Sequence, residues 1–158
     1  MTNPILKITG QIVAPVELDF AALAAISAEY QINDVSRLVP SRKGDAITLR
    51  GLLAIAKPQS DVRYLTLHAS ADNFHASIPL EKIVEKAFLI YRLDGQPLTA
   101  KAGGPFRFFI PDHLACHAAE IDECANVKFV DHLELTVERG FDNRPHDDAE
   151  HAKLHQQF

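Results

Sequence analysis

The 158-residue sequence predicts an α+β domain, β-rich and mixed, in which short helices lie among short strands. Three observations predict it. Runs of period-two alternation recur along the chain, separated by Pro, Gly, Asn and Asp clusters that read as tight turns. Apolar spacing suited to a helix is brief wherever it occurs. Neither a G-x-G-x-x-G nor a G-x-x-x-x-G-K-[ST] pattern is present, so a doubly wound nucleotide fold is not expected.

Each element follows from its residues. Leu6, Ile8, Ile12 and Val13 alternate with Lys7, Thr9 and Gln11, which predicts a first strand over 6–13 that Pro15 interrupts. Asp19 precedes an Ala-rich apolar run from Phe20 to Ile26 and is placed to cap a short helix. Tyr30 to Val39 reads as extended, before the turn at 40–45. From Ile47 a strand passes into a helix that Thr48 caps, with Leu49, Leu52, Leu53 and Ala56 on one face and Pro58 at its end. Tyr64–Ala71 and Phe74–Leu80 alternate on either side of Asp72-Asn73 and predict a hairpin that sets His68 opposite His75. Pro79 opens a short helix through Lys86, and the nearly unbroken apolar run 87–93 predicts a strand covered on both faces. After the turn at 94–98 come a strand over Phe106–Ile110 and a final strand over Val127–Val137.

A chain of this length forms one core and buries roughly 70% of its unfolded surface without staples. The organisation expected is a domain over 1–139 and a polar tail over 140–158 that can form a short helix. Formal charge is -5 and the lysines are scattered, so nucleic acid is not an expected partner. No long apolar run predicts a membrane span or a secretory leader, and the two cysteines, Cys116 and Cys124, suit a reducing compartment. The expected location is cytoplasmic.

The most informative stretch is Leu93–Val137. Asp94-Gly95-Gln96-Pro97-Leu98 is a turn, and Gly103-Gly104-Pro105 admits a close backbone approach. Phe106-Arg107-Phe108-Phe109-Ile110 carries one cation on an apolar ribbon, an arrangement suited to an anion. The order Asp-Gly-x-Pro-Leu, Gly-x-Pro-x-Arg, then Lys128 with Asn126 two before it resembles the closing half of the sulfite-oxidase-type molybdopterin-binding domain. Gly10-x-Ile12-x-x-Pro15 and the turn Asp72-Asn73-Phe74 are similar to the same family's opening and pocket-side turn.

The resemblance implies that Arg107, Lys128 and Asn126 contact the cofactor molybdopterin or another anion, and that a cysteine thiolate ligates molybdenum from the window 30–47. No cysteine stands there. The positional counterparts are Asn33, Asp34 and Ser36, none of which reproduces a soft thiolate. The function expected is therefore a degenerate member of the oxidoreductase family, a binding or structural module for a small anionic ligand or a protein partner. No cofactor is established by the residues alone. One alternative is an active molybdenum-pterin oxidoreductase on a small oxyanion. Another is a zinc-binding interaction domain using Cys116 and Cys124, with His113 and His117 as further weak candidates. In the tail, His151 and His155 are one helical turn apart and suit incidental metal binding. Without the anion reading, Arg107 is a strand arginine paired with Asp112 or Glu134, Lys128 is a solvated lysine, and the His68–His75 pair is ordinary surface chemistry.

Overall fold

The computed structural model describes residues 4–111 and 126–144. The expected α+β class is what these residues form: one mixed and one antiparallel sheet with two short helices. The strands are β1 (Leu6–Gly10), β2 (Val16–Leu18), β3 (Gln31–Ile32), β4 (Asp45–Thr48), β5 (Tyr64–Ala69), β6 (Phe74–Pro79), β7 (Phe88–Leu93), β8 (Gln96–Pro97), β9 (Arg107–Phe109) and β10 (His132–Thr136). The helices are α1 (Phe20–Ala24) and α2 (Leu49–Ala56). The first sheet has the order β2-β1-β10-β5-β6, and β1 runs parallel to β10. In the second, β3-β4-β7-β8, strand β9 also pairs with β7.

The caps follow the sequence. Asp19 accepts the Ala22 N–H at 2.8 Å to start α1, and Thr48 Oγ1 accepts the Gly51 N–H at 3.1 Å to start α2. Thr48→Ala is expected to cost about 1 kcal/mol, read as a fall of roughly 2–4 °C in Tm. Gly10 ends β1 because it has φ +105, and a Cβ there would stand 2.1 Å from the Leu135 carbonyl oxygen. Only glycine meets both demands.

Period two sorts the side chains into layers. Leu6 and Ile8 of β1, Leu65 and Leu67 of β5, and Leu133 and Leu135 of β10 join Leu89 and Tyr91 of β7 and Phe108 of β9 in the main core. The alternate residues of β7, Phe88 and Ile90, face the other way into a smaller cluster with Val35, Ala46, Leu98 and Phe109. The apolar run 87–93 is thus covered on both faces, as expected.

Three spans differ from expectation. Tyr30–Val39 is extended only at β3. Asp34 then takes φ 70, its carboxylate accepts from the Ser36 N–H and hydroxyl, and a single 3-10 turn follows over Val35–Arg37. This side-chain turn competes with a strand and wins locally. Pro79–Lys86 forms one 3-10 turn, Leu80–Lys82, in place of a helix. Leu80 and Ile83 are both buried at a spacing of three, which such a turn satisfies. The long strand expected over 127–137 is divided at Phe129, which has φ 61: Val127 and Val130 serve the second sheet, and β10 serves the first.

Residues 140–144, which the sequence places in the tail, fasten onto β6. The Asp142 carboxylate accepts the Ser77 N–H at 2.9 Å, Asn143 Oδ1 accepts the His75 N–H at 2.8 Å, and the Gly140 N–H donates to Ser77 Oγ at 2.9 Å. These side chains occupy the donors of an edge strand, which otherwise invite another strand. Among the described residues no helix is long and apolar enough to cross a membrane.

Candidate functional site

β9 hydrogen-bonds on one side to β7 and on the other to the segment 126–130. The Phe108 N–H donates to the Val127 carbonyl at 2.9 Å and the Val130 N–H to the Phe106 carbonyl at 2.9 Å, which sets Lys128 opposite Arg107. Between them lies Gly103, with φ +94. A Cβ on it would stand 3.2 Å from Arg107 Cδ and 3.4 Å from Lys128 Cγ. The Gly-rich turn thus keeps a narrow cradle open between two cationic stems. Asn126, the third residue expected to contact the cofactor, spends its carbonyl oxygen on the Ile110 N–H at 2.7 Å and so holds the end of β9 in place.

Arg107 and Phe109 share the face of β9 turned toward the smaller apolar cluster. There Arg42, from the turn before β4, lays its guanidinium 5.2 Å from the Phe109 ring centroid. Among the described residues no carboxylate pairs with Arg42, Arg107 or Lys128, and the Nε atoms of both arginines are buried with no hydrogen-bond partner. Burial first, and then the like charge of Arg42, push the Arg107 guanidinium below its ordinary value. Glu134, one partner expected for Arg107, instead accepts from His68 Nε2 at 3.0 Å on the first sheet. Asp112, the other, lies outside the described residues. Lys128 is exposed.

The sequence did not single out Arg42. Its signal is the basic turn 41–44, but nothing local says that this turn reaches β9. A buried, orphaned guanidinium donor costs about 1–3 kcal/mol, and two like charges side by side add to that. An anion seated between them offsets both costs and can take the planar fork of each arginine.

The window expected to hold a metal ligand lies on the same side of the second sheet, since Val35 packs in the smaller cluster. Asn33 and Asp34 are exposed and Ser36 is half-buried. Hydrogen bonds from the Ser36 hydroxyl and then its N–H hold the Asp34 carboxyl below its ordinary value, so it is committed as a turn-forming anion. The weak metal candidates His113, Cys116, His117 and Cys124, and the tail pair His151 and His155, lie outside the described residues. No group of three or more His, Cys, Asp or Glu among the described residues is arranged to hold a metal ion.

Fold and site together define a strand-rich domain that presents a cationic cradle with no carboxylate partner among the described residues. The sequence profile of the oxidoreductase molybdopterin binding domain matches residues 45–141, more than half of the chain, and the protein belongs to that family. Among solved structures it is similar to the sulfane dehydrogenase SoxCD from Paracoccus pantotrophus, with a TM-score of 0.62 and 19% sequence identity. The match covers 86% of this chain and 39% of that one, so this chain spans well under half of its relative's length. At that identity the likeness shows the fold alone. No curated protein matches the sequence.

Molybdopterin asks for two things from such a domain: donors for its phosphate and a soft ligand for its metal. The orphaned arginine donors and the cradle at Gly103 fit the first. Asn33, Asp34 and Ser36 do not fit the second, because none carries sulfur and the Asp34 carboxylate is already engaged.

Proposed function

We propose that this protein is a molybdopterin-binding-fold module that holds a phosphate-bearing anion without supplying a thiolate to molybdenum, and that it acts by binding and not by oxidation or reduction. The observation that carries this reading is the meeting of Arg107 and Lys128 at Gly103, with Arg42 over the Phe109 ring on the same face of β9 and the Nε atoms of both arginines left unpartnered. Two neighbouring guanidinium groups, with a lysine opposite one of them, suit a dianion better than a single carboxylate, because its oxygens then meet separate charged donors.

A protein made in a molybdenum-replete host separates this reading from an active oxidoreductase. Elemental and pterin analysis of the purified chain is expected to find no stoichiometric molybdenum, while inorganic phosphate raises its Tm. One molybdenum per chain would overturn the proposal and point to Cys116 or Cys124 as the donor. Stoichiometric zinc that disappears when both cysteines become serine would favour the interaction-domain alternative.

A further inference from the structure

On the outer face of the first sheet three histidines stand in one cross-strand row. His132 of β10 pairs in register with His68 of β5, and His68 with His75 of β6. His68 stacks on His132 with ring centroids 4.7 Å apart and meets His75 edge-on, with their Nδ1 atoms 2.7 Å apart.

The other nitrogen of each ring in this closer pair is committed. His68 Nε2 lies 3.0 Å from the Glu134 carboxylate, and His75 Nε2 lies 3.2 Å from the carbonyl oxygen of the Asn73 amide. Both partner atoms are oxygens that accept hydrogen bonds and carry no hydrogen, a carboxylate oxygen and an amide carbonyl oxygen. The neutral rings therefore carry their hydrogens on Nε2 and turn two Nδ1 lone pairs toward each other. Lone pairs at that separation repel unless one cation sits between them.

We propose that His68 and His75 form a two-nitrogen site for a divalent ion of the zinc, nickel or copper class, the metal taking the position that a single shared proton otherwise holds. Imidazole nitrogen is a donor these ions favour over carboxylate. Glu134 and Asn73 stand where outer acceptors orient metal-bound histidines and raise their basicity. Two nitrogens about 2.1 Å from a tetrahedral ion lie roughly 3.4 Å apart, so the pair opens by less than about 1 Å on binding. His132 stacks on His68 and has its Nε2 bound to Thr9 Oγ1 at 2.6 Å, and the only close nitrogen pair of the row is that of His68 and His75.

The test is isothermal titration of the full chain with zinc and with nickel. A background in which Cys116 and Cys124 are serine and His113, His117, His151 and His155 are asparagine removes the other candidate donors. One ion per chain is expected. His68→Asn and His75→Asn each weaken it at least tenfold, and Glu134→Gln, which leaves both ligands in place, weakens it about tenfold. In nitrogen-15 spectra of the imidazoles, zinc shifts the Nδ1 resonances of His68 and His75 and leaves those of His132 in place. No binding in this background, or binding that survives both histidine substitutions, overturns the site and leaves the pair a proton-sharing contact. Should a histidine variant fail to fold, Glu134→Gln and the nitrogen-15 spectra still decide.

Discussion

Arg107→Met is expected to raise the Tm of the phosphate-free protein while abolishing its response to phosphate. Methionine keeps the unbranched stem beside Gly103 and Lys128, so packing is retained. It removes a buried Nε that has no partner and a charge that Arg42 repels. Relief of one orphaned donor is worth about 1–2 kcal/mol, or roughly 3–6 °C for a domain of this size. The wild-type protein regains that deficit only when an anion binds the folded state, through the ordinary linkage of ligand concentration to stability. Thermal scans with and without inorganic phosphate read both effects together. A less stable variant that still responds to phosphate would show that Arg107 is a packing residue and would sink the anion reading.

Arg144→Met is expected to have the largest effect on stability, a loss of about 3–5 kcal/mol at neutral pH in urea unfolding. The Asp142 side chain is 2% exposed and that of Arg144 5%, with the guanidinium Nη2 2.6 Å from the carboxylate. Arg144 also donates to the Ser77 carbonyl at 3.2 Å, so its loss frees an edge acceptor and leaves the buried carboxylate only the more exposed Arg139, 3.2 Å away, as a cationic partner. Burial by itself would raise the Asp142 carboxyl. Hydrogen bonds from the Arg144 side chain, from the Ser77 N–H and from the Arg144 N–H, with the charge of Arg144, outweigh it and hold the group below its ordinary 3.8. The sign follows. A carboxyl depressed in the folded state contributes stability that is fully present above 3.8 and is lost as pH falls below it through the folded value. In Arg144→Met the buried carboxyl loses the side-chain hydrogen bonds and charge of residue 144 and keeps the two backbone N–H donors and Arg139, so burial weighs more heavily and it takes up a proton more readily when folded than in the wild type. The gap between wild type and variant is therefore expected to narrow as pH falls toward 4, and a gap that widened would contradict the assigned pairing.

Local chemistry made much of this legible. Thr48 and Asp19 announce helix starts because a cap acts within three residues. The two-faced burial of β7 shows in its apolar run, and His68 opposite His75 follows from the short turn that sets their register. Arg107 and Lys128 were legible as motif residues, and the backbone pairing of 106–108 with 127–130 sets them side by side. What escaped depends on distant parts of the chain. Arg42 reaches Phe109 across more than sixty intervening residues, and no short pattern encodes that approach. His132 beside His68 depends on the register of β10 against β5, which no turn links. Phe129 breaks the expected final strand with a positive φ that a phenylalanine does not advertise.

The parallel pairing of β1 with β10 has a consequence for how the chain is made. Leu6–Gly10 leaves the ribosome roughly 120 residues ahead of its neighbour, which at about 5–20 residues per second is a wait of about 6–24 s. During synthesis the β5–β6 hairpin can close early, whereas the first sheet cannot be completed until β10 is threaded between strands already present. A nascent chain halted before His132 therefore lacks the middle of that sheet, and its β1 and β5 are left as open templates for chaperones or for one another.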